Sequence, residues 1–111
     1  MPEKPAKSLE AFASTAFGKR IRKLGIEEES GEIDETIRKV VASFGNPHLH
    51  AGLGIRVLSQ KSGIYECRYR GAGQGGLKLR MIFILDDTTT PKSLIFDYIG
   101  NHDEVRNYLK R

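Results

Sequence analysis

The histidines of the chain lie in two short segments, GNPHLHAGL and LIFDYIGNHDEV. His48 and His50 belong to the first segment, and His102 follows an apolar run that predicts a strand. Because imidazole titrates near neutral pH, each of these residues has the chemistry to give or take a proton. We expect Gly100 to permit a bulge or turn that delivers His102 to a site. The alternative is that His102 is a surface residue or part of a helix cap.

Basic residues alternate with apolar residues in IYECRYR and LKLRMIFIL. Successive side chains in a strand point to opposite faces, so the basic residues should share the face opposite the apolar one. That face is predicted to carry Arg56, Arg68, Arg70, Lys78 and Arg80. Glu66 is the acid expected among them, and like charges facing each other on a sheet are unfavourable. The pattern favours an anion-binding surface, with nucleic acid as the anion. A solvated sheet face is the alternative.

Two amphipathic helices are predicted before these strands. Apolar residues recur at helical spacing from Leu9 to Leu24, with Ser8 as the expected N-cap and Gly25 as the end. A second helical stripe runs from Ile33 to Phe44 and stops before the glycine and proline that follow. Two consecutive helices with a short link predict a helical hairpin.

The rest of the chain has the two-residue period of strands. IRVLSQ, IYECRYR, LKLRMIFIL and SLIFDYIG predict four strands joined by turns, and a short helix is expected over residues 103–110. The predicted fold class is therefore α+β. It consists of a four-stranded, mainly antiparallel sheet with an N-terminal helical hairpin and a short C-terminal helix, and all of these helices are expected to pack on one face of the sheet.

Composition limits the class of protein. The chain has 111 residues, which predicts a single domain over 1–111, with residues 1–7 expected to be disordered. It carries 18 Lys and Arg against 14 Asp and Glu, a net charge of +4. No apolar run is long enough for a membrane span, and no secretory signal is expected. Cys67 is the single cysteine, which excludes an internal disulfide and favours the cytoplasm.

Three segments together resemble the RelE/ParE superfamily of bacterial toxins, in its RelE/YafQ-like branch. They are GLGIRVLSQKSGIYECRYR, LKLRMIFIL and LIFDYIGNHDEV, and the resemblance covers roughly residues 30–108. It implies the toxin component of a type II toxin–antitoxin system, an mRNA-cleaving endoribonuclease that acts on translating ribosomes without a cofactor. It also implies a cognate antitoxin as partner, in a hetero-oligomer. Members usually begin with a short edge strand. MPEKPAK has no alternation, so that strand is expected to be missing or supplied elsewhere.

The resemblance also implies roles for individual residues. Arg80 and Arg68 would bind the scissile phosphate, His102 would act as general acid, and His50 or His48 would act as base. These roles suit the residue types, because arginine stays charged and histidine titrates near neutrality. Further contacts to RNA are assigned to Arg56, Lys61, Arg70, Lys78 and Tyr98, the last by stacking on a base or orienting His102.

Other functions remain open at this point. A ParE-like inhibitor of DNA gyrase shares the fold without RNA chemistry, and a noncatalytic nucleic-acid- or antitoxin-binding module is a further alternative. His48 and His50 are two residues apart, a spacing that can bind zinc, and a metal site would have to combine them with His102. The sequence does not establish a third ligand or the second-shell support that such a site needs, so no metal site is expected. Cys67 falls on the apolar strand face, which favours packing over nucleophilic chemistry.

Overall fold

The computed structural model describes residues 9–44, 51–70 and 78–110, which form a five-stranded mixed sheet and three α-helices. The strands are β1 (Leu9–Ala13), β2 (Arg56–Ser59), β3 (Ile64–Arg70), β4 (Lys78–Asp86) and β5 (Lys92–Gly100). The helices are α1 (Thr15–Leu24), α2 (Ser30–Phe44) and α3 (His102–Leu109), with 3₁₀ turns at Glu27–Glu29 and Ala51–Leu53. None of these helices is long and apolar enough to cross a membrane. The expected disorder of residues 1–7 lies outside the described residues.

The α+β class is confirmed, but the predicted sheet is wrong in its strand count. The strand order is β1-β5-β4-β3-β2, and the additional strand β1 runs parallel to β5. The sequence predicted helix from Leu9, whereas α1 begins at Thr15. Its N-cap is Ser14 rather than Ser8, and the Ser14 hydroxyl accepts a hydrogen bond of 3.1 Å from the Phe17 backbone. Pairing with β5 outweighs the helical spacing of the apolar residues in β1.

The predicted helical hairpin is also wrong. Helix α1 packs mainly on β5, with Phe17 meeting Phe96 edge-to-face at 6.1 Å between ring centroids. Helix α2 contacts β1 and β3 instead of lying along α1. The predicted end of α1 is confirmed, since Gly25 adopts the left-handed conformation of a helix C-cap, with φ of 70°. The two helices are therefore consecutive in sequence and separately anchored on the sheet.

The predicted alternation of β3 and β4 is confirmed. Their buried residues on the face that α1 and α2 cover are Cys67, Tyr69, Leu79, Met81 and Phe83. Phe83 is the centre of this core, because its ring stacks on Phe96 at 4.9 Å and on Tyr65 at 5.5 Å. The opposite face of the same strands carries the basic residues, so one alternating pattern builds both the core and a charged surface.

A bulge in β5 changes the alternation that the sequence predicted for that strand. Ile82 pairs with Tyr98 and Phe83 pairs with Phe96, which leaves Asp97 as the extra residue. As a result, Tyr98 faces away from the core, and its ring stacks on Tyr108 of α3 at 4.7 Å. Helix α3 therefore packs on the face opposite α1. The expectation that all helices cover one face is wrong for this reason.

Cys67 should be inert in the folded protein. It is fully buried, and this burial, with the nearby Glu66 charge, raises the pKa of the thiol to about 12. At pH 8 we expect modification by a disulfide reagent to be roughly a thousandfold slower in the native protein than in denaturant, because the thiolate is the reactive species. A spectrophotometric thiol assay with and without guanidinium measures both rates. Rapid native modification would mean that β3 opens readily.

Candidate functional site

A groove of about 640 Å³ lies where α2, the 3₁₀ turn Ala51–Leu53, β3, β4 and the start of α3 meet. We call it the basic groove, after the cationic and histidine side chains that line it: Lys39, Arg68, Arg70, Lys78, Arg80 and His102. No aspartate or glutamate is among the described residues that line it. A concave surface with one sign of charge attracts anions and concentrates them.

Strand register brings the basic side chains together. Arg68 pairs with Arg80 and Arg70 pairs with Lys78 across β3 and β4. Directly opposed residues in antiparallel strands have Cβ atoms about 4.5–5.5 Å apart, so each pair places two positive charges side by side. Arg80 also pairs with Gly100, the last residue of β5. Because His102 follows two residues later, this pairing places His102 near Arg68 and Arg80. An anion bound between the charges would relieve this repulsion.

Glu66 partly compensates this charge from the protein side. Its side chain is buried, and one carboxylate oxygen accepts hydrogen bonds from Arg56 at 2.6 and 2.9 Å and from Arg80 at 2.8 Å. Arg56 lies opposite Glu66 across β2 and β3. The carboxylate therefore holds the Arg80 guanidinium in a fixed position beside Arg68, while Arg68, Arg70 and Lys78 stay exposed to solvent.

Replacing Glu66 with glutamine should lower the free energy of unfolding by about 1–3 kcal/mol, because two arginines lose a buried ionised partner. The partial exposure of both arginines keeps the expected loss below that for a fully buried pair. Glu35→Gln is the matched control, since Glu35 pairs with Arg38 at 3.1 Å on the exposed surface of α2. That change should cost less than about 0.5 kcal/mol. Equal losses in urea denaturation of the two variants would contradict a structural role for Glu66.

Arg68 has space for its guanidinium because residue 54 is glycine. Gly54 has a φ of +60°, and a Cβ built there would lie 2.8 Å from Arg68 Nε. A side chain at this position would therefore meet both a strained backbone and the arginine. Gly54 therefore lies against Arg68 without blocking its side chain.

His102 is the first residue of α3 and lies exposed at the groove. A capping box fixes this helix start. The Asn101 side chain accepts from the Glu104 backbone at 2.8 Å, and Glu104 Oε1 accepts from the Asn101 backbone at 2.9 Å. That hydrogen bond and, after it, the Arg20 guanidinium lower the pKa of Glu104 below its usual value. Glu104 therefore stays ionised, and the capping box stays formed, below the normal pKa of glutamate.

Gly100 does not supply the predicted bulge or turn. The bulge is at Asp97, and Gly100 is absent from the glycines of positive φ, which in the described residues are Gly25, Gly54 and Gly63. Gly100 instead ends β5 in close contact with other groups. A Cβ there would lie 2.8 Å from Glu104 Oε1 and 2.9 Å from an Arg20 nitrogen.

Five of the predicted site residues meet in the basic groove: His102, Arg80, Arg68, Arg70 and Lys78. These five residues come from β3, β4 and α3. Lys39 and Thr36 of α2 also line it, and sequence reasoning missed them. The signal for Lys39 was weak, because an exposed lysine on an amphipathic helix is ordinary.

The other predicted site residues lie elsewhere. Arg56 is connected to the groove only through Glu66, which also binds Arg80. Lys61 lies in the turn between β2 and β3, and the length of β3 separates this turn from Arg70 by about 20 Å. The Tyr98 ring has Arg20 over it at 4.5 Å and Tyr108 stacked on it, and it does not line the groove. His48 and His50, the candidate bases, lie outside the described residues.

Comparisons of the chain with models of protein families, with curated proteins and with solved structures found no match. The chemistry of the groove is therefore the basis for any function proposed for this protein.

Two further features bear on that chemistry. Within residues 9–44, 51–70 and 78–110, no three His, Cys, Asp or Glu side chains are grouped to hold a metal ion. Tyr69 lies at the groove, and its hydroxyl donates a hydrogen bond of 2.6 Å to Glu29. Burial and this contact raise the pKa of Tyr69 well above its usual value, so the phenol stays neutral.

Proposed function

We propose that this protein is an endoribonuclease that cleaves mRNA on translating ribosomes, as the toxin component of a type II toxin–antitoxin system. The observation that carries the proposal is the meeting of His102 with Arg68 and Arg80 in the basic groove, whose described lining includes no carboxylate. This combination suits a phosphodiester, since arginine binds phosphate oxygens in fork geometry and histidine transfers protons.

The proposed reaction is attack of a ribose 2′-oxygen on the adjacent phosphorus. The bond from phosphorus to the 5′-oxygen breaks, and the products are a 2′,3′-cyclic phosphate and a free 5′-hydroxyl. His102 donates the proton to the leaving 5′-oxygen, and a base takes the 2′-hydroxyl proton; His50 or His48 remains the proposed base. Arg68 and Arg80 stabilise the charge that develops on the phosphorane oxygens.

Lys39, Arg70 and Lys78 would bind the flanking phosphates. Five of the described residues that line the groove are lysines or arginines. If all five bind phosphates, the logarithm of RNA affinity should fall with the logarithm of salt concentration at a slope of about −3 to −4 for single-stranded RNA. Among the described residues that line the groove, Tyr69 is the aromatic one, and it is largely buried and bonded to Glu29, so its ring is not available to stack on a base. Binding by this groove is therefore dominated by the phosphate backbone.

The RelE/ParE-like fold is part of the same proposal. Members of that superfamily usually begin with a short edge strand, and β1 supplies such a strand at one edge of the sheet. This strand, Leu9–Ala13, lies shortly after residues 1–7, which lack the alternation of a strand. We also propose a cognate antitoxin as partner, in a toxin–antitoxin hetero-oligomer in the cytoplasm.

The test is pulse-labelling of bacteria after the chain is induced alone. Amino-acid and thymidine incorporation are followed in parallel, and new 5′-hydroxyl ends are mapped on cellular mRNA. We expect amino-acid incorporation to fall first, with new mRNA ends that a His102→Ala variant does not produce. An early fall in thymidine incorporation would replace this proposal with gyrase inhibition. Normal incorporation of both labels would favour a noncatalytic binding module.

A further inference from the structure

One arginine joins three elements around the residue proposed as general acid. Arg20 projects from α1, and its Nε donates a hydrogen bond of 2.9 Å to the Ile99 carbonyl at the end of β5. Its terminal nitrogen lies 2.9 Å from Glu104 Oε1 in the first turn of α3. The guanidinium also lies over the Tyr98 ring, 4.5 Å from the centroid. Arg20 thus contacts the chain on both sides of His102.

The open edge of β5 makes these contacts possible. Strand β1 pairs with β5 only as far as Phe96, so none of the described strands covers residues 97–100 on that side. The Arg20 side chain occupies this edge and is only 13% exposed. An arginine with a backbone carbonyl, a carboxylate and an aromatic ring as partners has little freedom to move. Its position is therefore well defined.

Gly100 provides the room for this arrangement. A Cβ at position 100 would lie 2.9 Å from the Arg20 nitrogen, 2.8 Å from Glu104 Oε1 and 3.0 Å from Glu104 Cβ. The Arg20 nitrogen and Glu104 Oε1 lie at the ends of flexible side chains and can shift. Glu104 Cβ is bonded to the backbone of α3 and can move only with the helix. A side chain at residue 100 would thus displace the ion pair or tilt the helix start.

We propose that Arg20 and Glu104 form a positioning pair that holds the first turn of α3 and so fixes His102 at the basic groove. In this view, residue 100 is glycine because the pair occupies the space of its side chain. The catalytic consequence rests on the proposed ribonuclease function, whereas the structural consequence does not. Arg20 itself does not line the groove, so its effect on a reaction passes through His102.

The test combines a structural and a kinetic readout on the full-length protein. Ring signals of isotope-labelled histidine are assigned to His102 by their loss in His102→Ala. In Arg20→Met we expect the His102 signal to broaden or shift toward that of free histidine. Single-turnover cleavage of ribosome-bound mRNA should fall roughly 10- to 100-fold, the range for a catalytic group displaced by about 1 Å. Affinity for a 2′-deoxy-substituted, uncleavable RNA should change by less than about twofold, because the groove cations remain.

Matched variants separate positioning from loss of charge or stability. Arg22→Met removes an exposed arginine from the same helix and should change neither readout. Arg20→Lys should recover part of the cleavage rate, since lysine still pairs with Glu104. Gly100→Ala should change the His102 signal and lower the cleavage rate as Arg20→Met does, without removing a charge. Gly18→Ala adds a methyl group in open space and should change neither the His102 signal nor the cleavage rate. The double variant Arg20→Met, Glu104→Gln should cleave RNA no more slowly than the slower of the two single variants, because both changes break the same ion pair.

Each outcome decides the inference. An unchanged His102 signal and an unchanged cleavage rate in Arg20→Met and Gly100→Ala would overturn it. A fall in cleavage with an unchanged His102 signal would also overturn it, because Arg20 would then act by another route. Should the His102 signal change as expected while the unmodified protein cleaves no RNA, the positioning pair stands and the proposed ribonuclease function fails.

Discussion

Replacement of His102 by alanine is expected to lower the single-turnover rate of RNA cleavage by about 10²- to 10⁴-fold, the usual contribution of a positioned general acid. Without the imidazole, the 5′-oxygen must leave without a proton from the protein. RNA affinity should change little, because Arg68, Arg70, Lys78 and Arg80 still line the groove. The measurement is cleavage of end-labelled mRNA on programmed ribosomes, with binding followed on uncleavable RNA.

Asp103→Asn is the matched control for that variant. Asp103 is exposed in the same turn of α3 and does not line the groove, so its change should leave the cleavage rate within about twofold and cost only a few tenths of a kcal/mol at the helix N-terminus. Cleavage by His102→Ala at the unmodified rate would show that another group protonates the leaving oxygen. Equal losses in both variants would point to disruption of α3 instead of lost acid catalysis.

Replacement of Phe83 by alanine should destabilise the fold by about 3–5 kcal/mol, a large part of the stability of a typical domain. Phe83 has no exposed surface, and its ring contacts Phe96, Tyr65 and Phe44 at centroid distances of 4.9, 5.5 and 5.8 Å. The change removes contacts to both α2 and β5 and leaves a cavity between them. Equilibrium unfolding in urea measures the loss.

Phe12→Ala provides the comparison of residue type. Phe12 lies in β1 with 51% of its surface exposed, and truncating it should cost only about 1 kcal/mol because about half of the side chain is already in contact with solvent. If Phe83→Ala lost no more stability than Phe12→Ala, the ring cluster would not be the centre of the core.

The strands at the groove could be predicted from sequence because their alternation is local. In β3 and β4, apolar residues stand at every second position, and burying them requires that one face of each strand point to the core. The basic residues between them must then lie on the other face. The meeting of Arg68 with Arg80 follows from that pattern and a hairpin connection. His102 could be placed at the end of the last strand for the same reason.

Features that depend on distant pairing could not be predicted in this way. Strand β1 has the spacing of a helix, and its extended form is stabilised by hydrogen bonds to residues 92–96. The bulge at Asp97 is set by how β5 fits β4, and it moves Tyr98 away from the position that simple alternation gives. Lys39 and Arg20 lie on helices whose orientation only the packed sheet determines. No periodicity in the sequence distinguishes these two residues from the other lysines and arginines of their helices.

The parallel pairing of β1 with β5 has a consequence for synthesis of the chain. Leu9 lies opposite Lys92, so the first described strand has no sheet partner until more than eighty further residues have been made. Contacts between residues so distant in sequence slow folding, since the intervening chain must be closed into a loop. The nascent chain therefore has β1 unpaired, and the β5 edge where Arg20 binds not yet formed, until residues 92–100 have been made. Assembly of the groove is a late event, completed only after residues 92–104 have left the ribosome that made them.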